Sequence, residues 1–132
     1  MVIETKKVKV LIVDDDKFLL NMYSIKFSKN GFEVQTGVGG MDALKIIHDG
    51  YTPDIILLDL VMPGMDGLEL LTKIKAENLA PKATVIMLTN QGQPSDIKRA
   101  EDIGVAGYIV KATTIPSEVV DEVVKLYQAR KA

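Results

Sequence analysis

The sequence predicts an α/β fold, a doubly wound five-stranded parallel sheet assembled from five strand-helix units. Three observations lead there. Five short runs rich in Val, Ile and Leu recur along the 132 residues. Segments with helical spacing alternate with them, which implies right-handed crossovers and helices on both faces of one sheet. Most of the runs lack a strict period of two, as suits strands covered on both sides.

The first strand is VKVLIV from Val8, and the helix after it takes its apolar face from Phe18, Met22 and Ile25. FEVQT from Phe32 is the second strand, followed by a helix carrying Leu44 and Ile47. DIILLD from Asp54 leads through MPGMDG, a turn because Pro and Gly set special backbone angles, to a helix with Leu70, Leu71 and Ile74. Asp66 in that turn is read as a helix cap. ATVIMLT from Ala83 precedes a helix with Ile97, Ala100 and Ile103. The last unit pairs AGYIV from Ala106 with Val120, Val123, Val124 and Tyr127. Those β-branched residues would allow a strand, but pairs four apart and Pro116 in a first turn favour a helix. Gly31, Gly50 and Gly104 fall where helix C-caps belong.

A chain of this length is expected to form one compact domain over residues 1–132, with its core at about 8–127. With 47% apolar and 26% charged residues it is too apolar for a disordered chain. Sixteen basic against eighteen acidic side chains give a net charge of −2, and so no broad attraction to nucleic acid or anionic membrane. The absence of cysteine excludes disulfides, thiol catalysis and thiolate metal sites, and is compatible with a reducing cytoplasm. MVIETKKVKV is unlike a signal peptide and no stretch approaches transmembrane length, so a cytoplasmic protein without membrane insertion is expected.

The residues that end the strands are the informative ones. Asp14, with Asp15 and Asp16, follows the first, Asp59 the third, Thr89 the fourth and Lys111 the fifth. In open α/β sheets ligands sit beyond the C-terminal strand ends, near the point where strand order reverses, so these groups should converge on one rim. Carboxylates gathered there raise one another's pKa and destabilise the fold unless a cation intervenes. Oxygen-only ligands with room for water suit Mg2+. A carboxylate can itself attack a phosphoryl group, and a metal, an ammonium and a hydroxyl would neutralise charge on the phosphoryl oxygens. Asp59, Lys111 and Thr89 fill those roles.

Simpler readings compete. One helix cap needs one Asp rather than the three of Asp14 to Asp16. GVGGMDA from Gly37 resembles a dinucleotide loop but has Asp42 in place of the third glycine, where it would repel phosphate. His48, the only histidine, is read as a surface residue. The six methionines are read as core fillers.

VLIVDD at residues 10–15, DIILLDLVMPGMDGLEL around Asp59, VIMLTN at Thr89 and GYIVK at Lys111 resemble the receiver domains of bacterial response regulators, including the single-domain chemotaxis receiver. The resemblance runs from about Val8 to about Tyr127 and implies a flavodoxin-like (βα)5 fold with strand order 2-1-3-4-5. It further implies a phosphoryl acceptor in two-component signalling and not an enzyme in the turnover sense. Asp59 would be the phosphoacceptor, Asp15 a direct and Asp14 a largely water-mediated metal ligand, with the Val61 carbonyl as another. Lys111 would contact the phosphoryl group, Thr89 would turn its hydroxyl toward it, and Tyr108 would follow that threonine as a switch. The phosphodonor would be a sensor histidine kinase or a histidine phosphotransfer protein. The output face, around Ile103, Tyr108 and the last helix, would meet a downstream protein, the domain acting as a monomer or weak phosphorylation-dependent dimer. The alternative is a pseudo-receiver, an interaction domain independent of phosphorylation.

Two positions depart from the family pattern. Asn90 stands where a small residue usually follows the threonine, and is expected to narrow access or to hydrogen-bond the phosphoryl group. Ala112 stands where proline usually follows the lysine. A cis bond before a non-proline residue costs about 2.5–4 kcal/mol, so the Lys111–Ala112 peptide is expected to be trans.

Overall fold

The computed structural model describes residues 8–90 and 93–131. Its five strands are β1 (Lys9–Asp14), β2 (Glu33–Val38), β3 (Ile55–Leu58), β4 (Thr84–Thr89) and β5 (Gly107–Val110). All are parallel, in the order β2-β1-β3-β4-β5. The helices are α1 (Lys17–Lys29), α2 (Gly40–His48), α3 (Gly67–Ala76), α4 (Pro94–Ile103) and α5 (Pro116–Lys131), with a 3-10 turn over Lys111–Thr113 between β5 and α5. The expected topology is the one observed.

Both faces of the sheet are covered, which explains why alternation is missing. Leu11, Val13, Ile56, Leu58 and Met87 pack toward α2, α3 and α4, and Val10, Ile12, Ile55, Leu57 and Ile86 pack toward α1 and α5. Every residue of β3 is buried. Burying each such side chain fully contributes about 1.5–3 kcal/mol, so the central strand fixes the sheet most firmly. The edge strand β2 alternates between exposed and half-buried residues over most of its length, because only one neighbour covers it.

Helix α1 corrects one expectation. Phe18 and Ile25, taken as its apolar face, are 77% and 49% exposed, and the residues buried on the sheet are Leu20, Tyr23 and Phe27. Apolar residues stand on several sides of this helix, so spacing alone does not choose the stripe, whereas docking on β1 and α5 does. Phe27 also meets Phe32 edge-on, with ring centroids 5.2 Å apart.

Local signals account for the helix ends. The Asp16 carboxylate accepts from the N–H groups of Phe18 and Leu19 at 2.9 and 3.2 Å, and Asp66 accepts from Glu69 at 2.8 Å, so both are N-caps. Pro94 opens α4, and Gly104, left-handed at φ 108°, closes it. Asp42 holds the Val38 N–H at 2.9 Å, filling the turn that superficially resembles a dinucleotide loop. His48 is a surface residue, 3.1 Å from Glu77. Among the described residues no helix is long and apolar enough to cross a membrane.

Candidate functional site

Parallel strands in register end on a common rim. Val13 lies beside Leu58, and Thr89 beside Val110, so the residues that follow β1 and β3, and those that follow β4 and β5, are neighbours in space. The order reverses at β1, whose two neighbours are β2 and β3, and this is where the acids gather. One glycine makes the arrangement possible: α3 begins so close beneath Asp59 that a Cβ on Gly67 would collide with the Asp59 carbonyl. Its N–H donates to the Leu60 carbonyl at 2.8 Å.

Carboxylate oxygens of Asp14, Asp15 and Asp59 lie within 4.8 Å of one another. Asp14 and Asp59 are buried and Asp15 is exposed. The Lys111 ammonium reaches into the group, 2.5 Å from Asp14 Oδ2 and 3.1 Å from Asp59 Oδ2. Asp14 Oδ1 accepts from the Asp16 N–H at 3.0 Å, so Asp14 is held on both oxygens. Thr89 is buried at the end of β4. Val61, whose side chain is exposed, lies two residues beyond Asp59 on the way to α3.

Charge is unbalanced here, with three carboxylates against one ammonium. Burial disfavours the Lys111 ammonium, but its hydrogen bond to Asp14 and the charges of Asp59 and Asp14 outweigh that and hold its pKa above the ordinary lysine value. The Asp15 carboxyl is pushed up first by desolvation, with neighbouring Asp14 and Asp59 adding to it against an opposing backbone hydrogen bond. A set of oxygen donors carrying surplus negative charge fits a hard divalent cation such as magnesium, with Asp14, Asp15 and Asp59 as the groups able to hold it.

Two further residues stand beside the site. Tyr23 is buried on α1 close enough that the charges of Lys111, Asp14 and Asp59 act on it, although burial is the main reason its phenol is raised. It was missed because α1 was read in the wrong phase. Asn90, expected to narrow access or to hydrogen-bond the phosphoryl group, has its Oδ1 accepting the Ala112 N–H at 2.7 Å. The Lys111–Ala112 peptide is trans, as expected, there being no cis bond among the described residues. Tyr108 stands on β5 beside Met87, its hydroxyl buried without a hydrogen-bond partner among the described residues and its phenol raised by burial, then by Asp96 and Asp59.

The response regulator receiver domain family model matches residues 10–123. The chain belongs to that family. Receiver domains of this kind are the signalling modules of two-component systems, and the flavodoxin-like order of strands agrees. The receiver is 39% identical over 123 residues to the response regulator protein VraR of Staphylococcus epidermidis, covering 92% of this chain and 57% of that protein. Against VraR of Staphylococcus aureus it is 38% identical over 120 residues, covering 89% and 56%. It thus spans little more than half the length of these relatives. Among solved structures it resembles the chemotaxis protein CheY4 of Vibrio cholerae, with a TM-score of 0.83 and 27% identity over 91% of this chain and 98% of that one. A DNA-binding response regulator of the LuxR family from Staphylococcus aureus gives a TM-score of 0.80 at 30% identity, covering 91% and 98%.

Proposed function

We propose that this receiver domain accepts a phosphoryl group on Asp59 from a phosphohistidine, carried by a sensor histidine kinase or a histidine phosphotransfer protein. The observation that carries the reading is the Lys111 ammonium shared between buried Asp14 and Asp59, inside a group of three carboxylates at the sheet's switch point. An Asp59 carboxylate oxygen attacks phosphorus, the N–P bond of the donor breaks with its electron pair left on the imidazole, and the imidazole takes a proton from water. Lys111 and Thr89 hold the phosphoryl oxygens. Magnesium, held by Asp14, Asp15, Asp59 and the Val61 carbonyl, supplies charge neutralisation to those oxygens when bound. Asp59 becomes an acyl phosphate and is restored by hydrolysis, so the domain is an acceptor whose state carries the signal.

Thr89 and Tyr108 then form the switch, and the face around Ile103, Tyr108 and α5 is the output surface for a downstream protein. The core at about residues 8–127 works as a single receiver unit in the cytoplasm, as a monomer or a weak phosphorylation-dependent dimer. An interaction-only domain has no need of Asp14, Asp15, Asp59, Thr89 and Lys111 brought together on one rim.

The test is incubation with a small acyl phosphate and magnesium, followed by intact mass. One phosphoryl group is expected on the wild type and none on Asp59→Asn. Equal labelling of the two would sink the assignment.

A further inference from the structure

The strongest unexplained contact beside the site joins the two residues that immediately follow Thr89 and Lys111. Asn90 Oδ1 accepts the Ala112 N–H at 2.7 Å across 22 residues of sequence. A backbone N–H can only donate, so the oxygen of the Asn90 amide must be the atom that faces it. Ala112 belongs to the 3-10 turn Lys111–Thr113, which has no side-chain cap of its own. The first N–H groups of such a turn have no acceptor within it, and Asn90 supplies one from the end of the neighbouring strand.

We infer that Asn90 and Ala112 form a clasp that positions Lys111 against Asp59 and fixes the end of β4 that carries Thr89. Asn90 acts as a positioning residue for phosphoryl transfer, a role that rests on the function proposed above. The β4 and β5 pairing ends with Thr89 beside Val110, so nothing in the ladder itself restrains the segments that leave the rim. The clasp closes that gap one residue beyond each. Its two members match: a proline at 112 would have no N–H to give, and an alanine at 90 would have no oxygen to receive it. Asn90 is exposed, so its replacement should leave the core intact.

The experiment measures the phosphorylation rate constant at saturating magnesium and, separately, the magnesium dissociation constant, for wild type, Asn90→Ala, Ala112→Pro and the double variant. Loss of one hydrogen bond that orients Lys111 is expected to slow labelling about three- to tenfold in Asn90→Ala. The magnesium constant should stay within about twofold, because the acidic ligands are untouched. The double variant should be no slower than the slower single one, as for two mutations that break the same contact. Ala112 amide hydrogen exchange should quicken in Asn90→Ala. Wild-type labelling kinetics in Asn90→Ala, or single effects that multiply in the double variant, would overturn the clasp while leaving Asp59 as acceptor. A wild type that takes up no phosphoryl group would overturn the proposed function and the positioning role together.

Discussion

Asp54 and Asp59 flank the same buried strand, Ile55–Leu58, and live in opposite circumstances. Asp54 sits below it with Oδ2 accepting the Lys9 N–H at 2.9 Å and Oδ1 facing the Lys82 ammonium at 3.3 Å. Its backbone is committed too, to Lys9 at 2.8 Å and Thr84 at 2.9 Å. One carboxylate has one ammonium and one amide donor, and the ends of β1, β3 and β4 are tied together. Asp59, at the other end, shares a single ammonium with Asp14 and has Asp15 as a further acidic neighbour. The helices explain why acid collects there: each begins just beyond a strand's C-terminal end, and helix N-termini favour negative groups. Two of these starts are capped by Asp16 and Asp66. A satisfied carboxylate builds structure, whereas one left with surplus charge can take a cation or a phosphoryl group.

The comparison breaks most visibly in labelling. Asp54→Asn should keep wild-type phosphoryl uptake by intact mass, while Asp59→Asn loses it entirely. If Asp54→Asn also abolished labelling, the two ends of the strand would not be functionally separate. Next in size is the response to metal. Saturating magnesium should raise the melting temperature at neutral pH, by about 2.7 kcal/mol of stability at a hundredfold excess over its dissociation constant. Asp15→Ala should lose most of that gain and Asp54→Asn none of it. A wild-type melting curve that magnesium leaves unmoved would remove the cation from the account.

The acidic rim was legible because its residues end apolar strands, and that pattern survives without coordinates. Asp14, Asp59, Thr89 and Lys111 needed only the rule that ligands sit at strand ends. The order of the strands came with the family resemblance. What stayed hidden depended on packing direction. Nothing in the spacing of α1 decides between Phe18 with Ile25 and Leu20 with Tyr23 and Phe27, so Tyr23 beside the site went unseen. Asn90 and Ala112 were each visible as departures, yet their hydrogen bond spans 22 residues and two loops. No local rule pairs them. The 3-10 turn after β5 was equally invisible, since none of the residues Lys111–Thr113 is a strong turn former.

Stability separates the two carboxylates in the opposite sense from labelling. Asp54→Ala should destabilise by about 1–3 kcal/mol, because the half-buried Lys9 N–H loses its acceptor. Urea unfolding measures it, and a variant as stable as wild type would show that Asp54 holds nothing together.

The smallest effect expected is a gain. Without divalent metal, Asp15→Asn should raise the melting temperature at neutral pH, since it removes a carboxylate whose ionised form is disfavoured by desolvation and by the neighbouring Asp14 and Asp59. Asp15 is exposed, so solvent screens the repulsion and the gain is modest. Its pH dependence is the sharper readout. The folded-state pKa of Asp15 lies above the unfolded value of 3.8, chiefly through desolvation and secondarily through Asp14 and Asp59. In the window between those two values the native state binds more protons than the unfolded chain, so stability falls as pH rises through it. The penalty is therefore fully present above the raised pKa and relieved below 3.8. The difference between Asp15→Asn and wild type should shrink as the solution is acidified through that window. A gain from Asp15→Asn that is constant from neutral to acid pH would mean that packing, and not the ionised state of the Asp15 carboxyl, sets its cost.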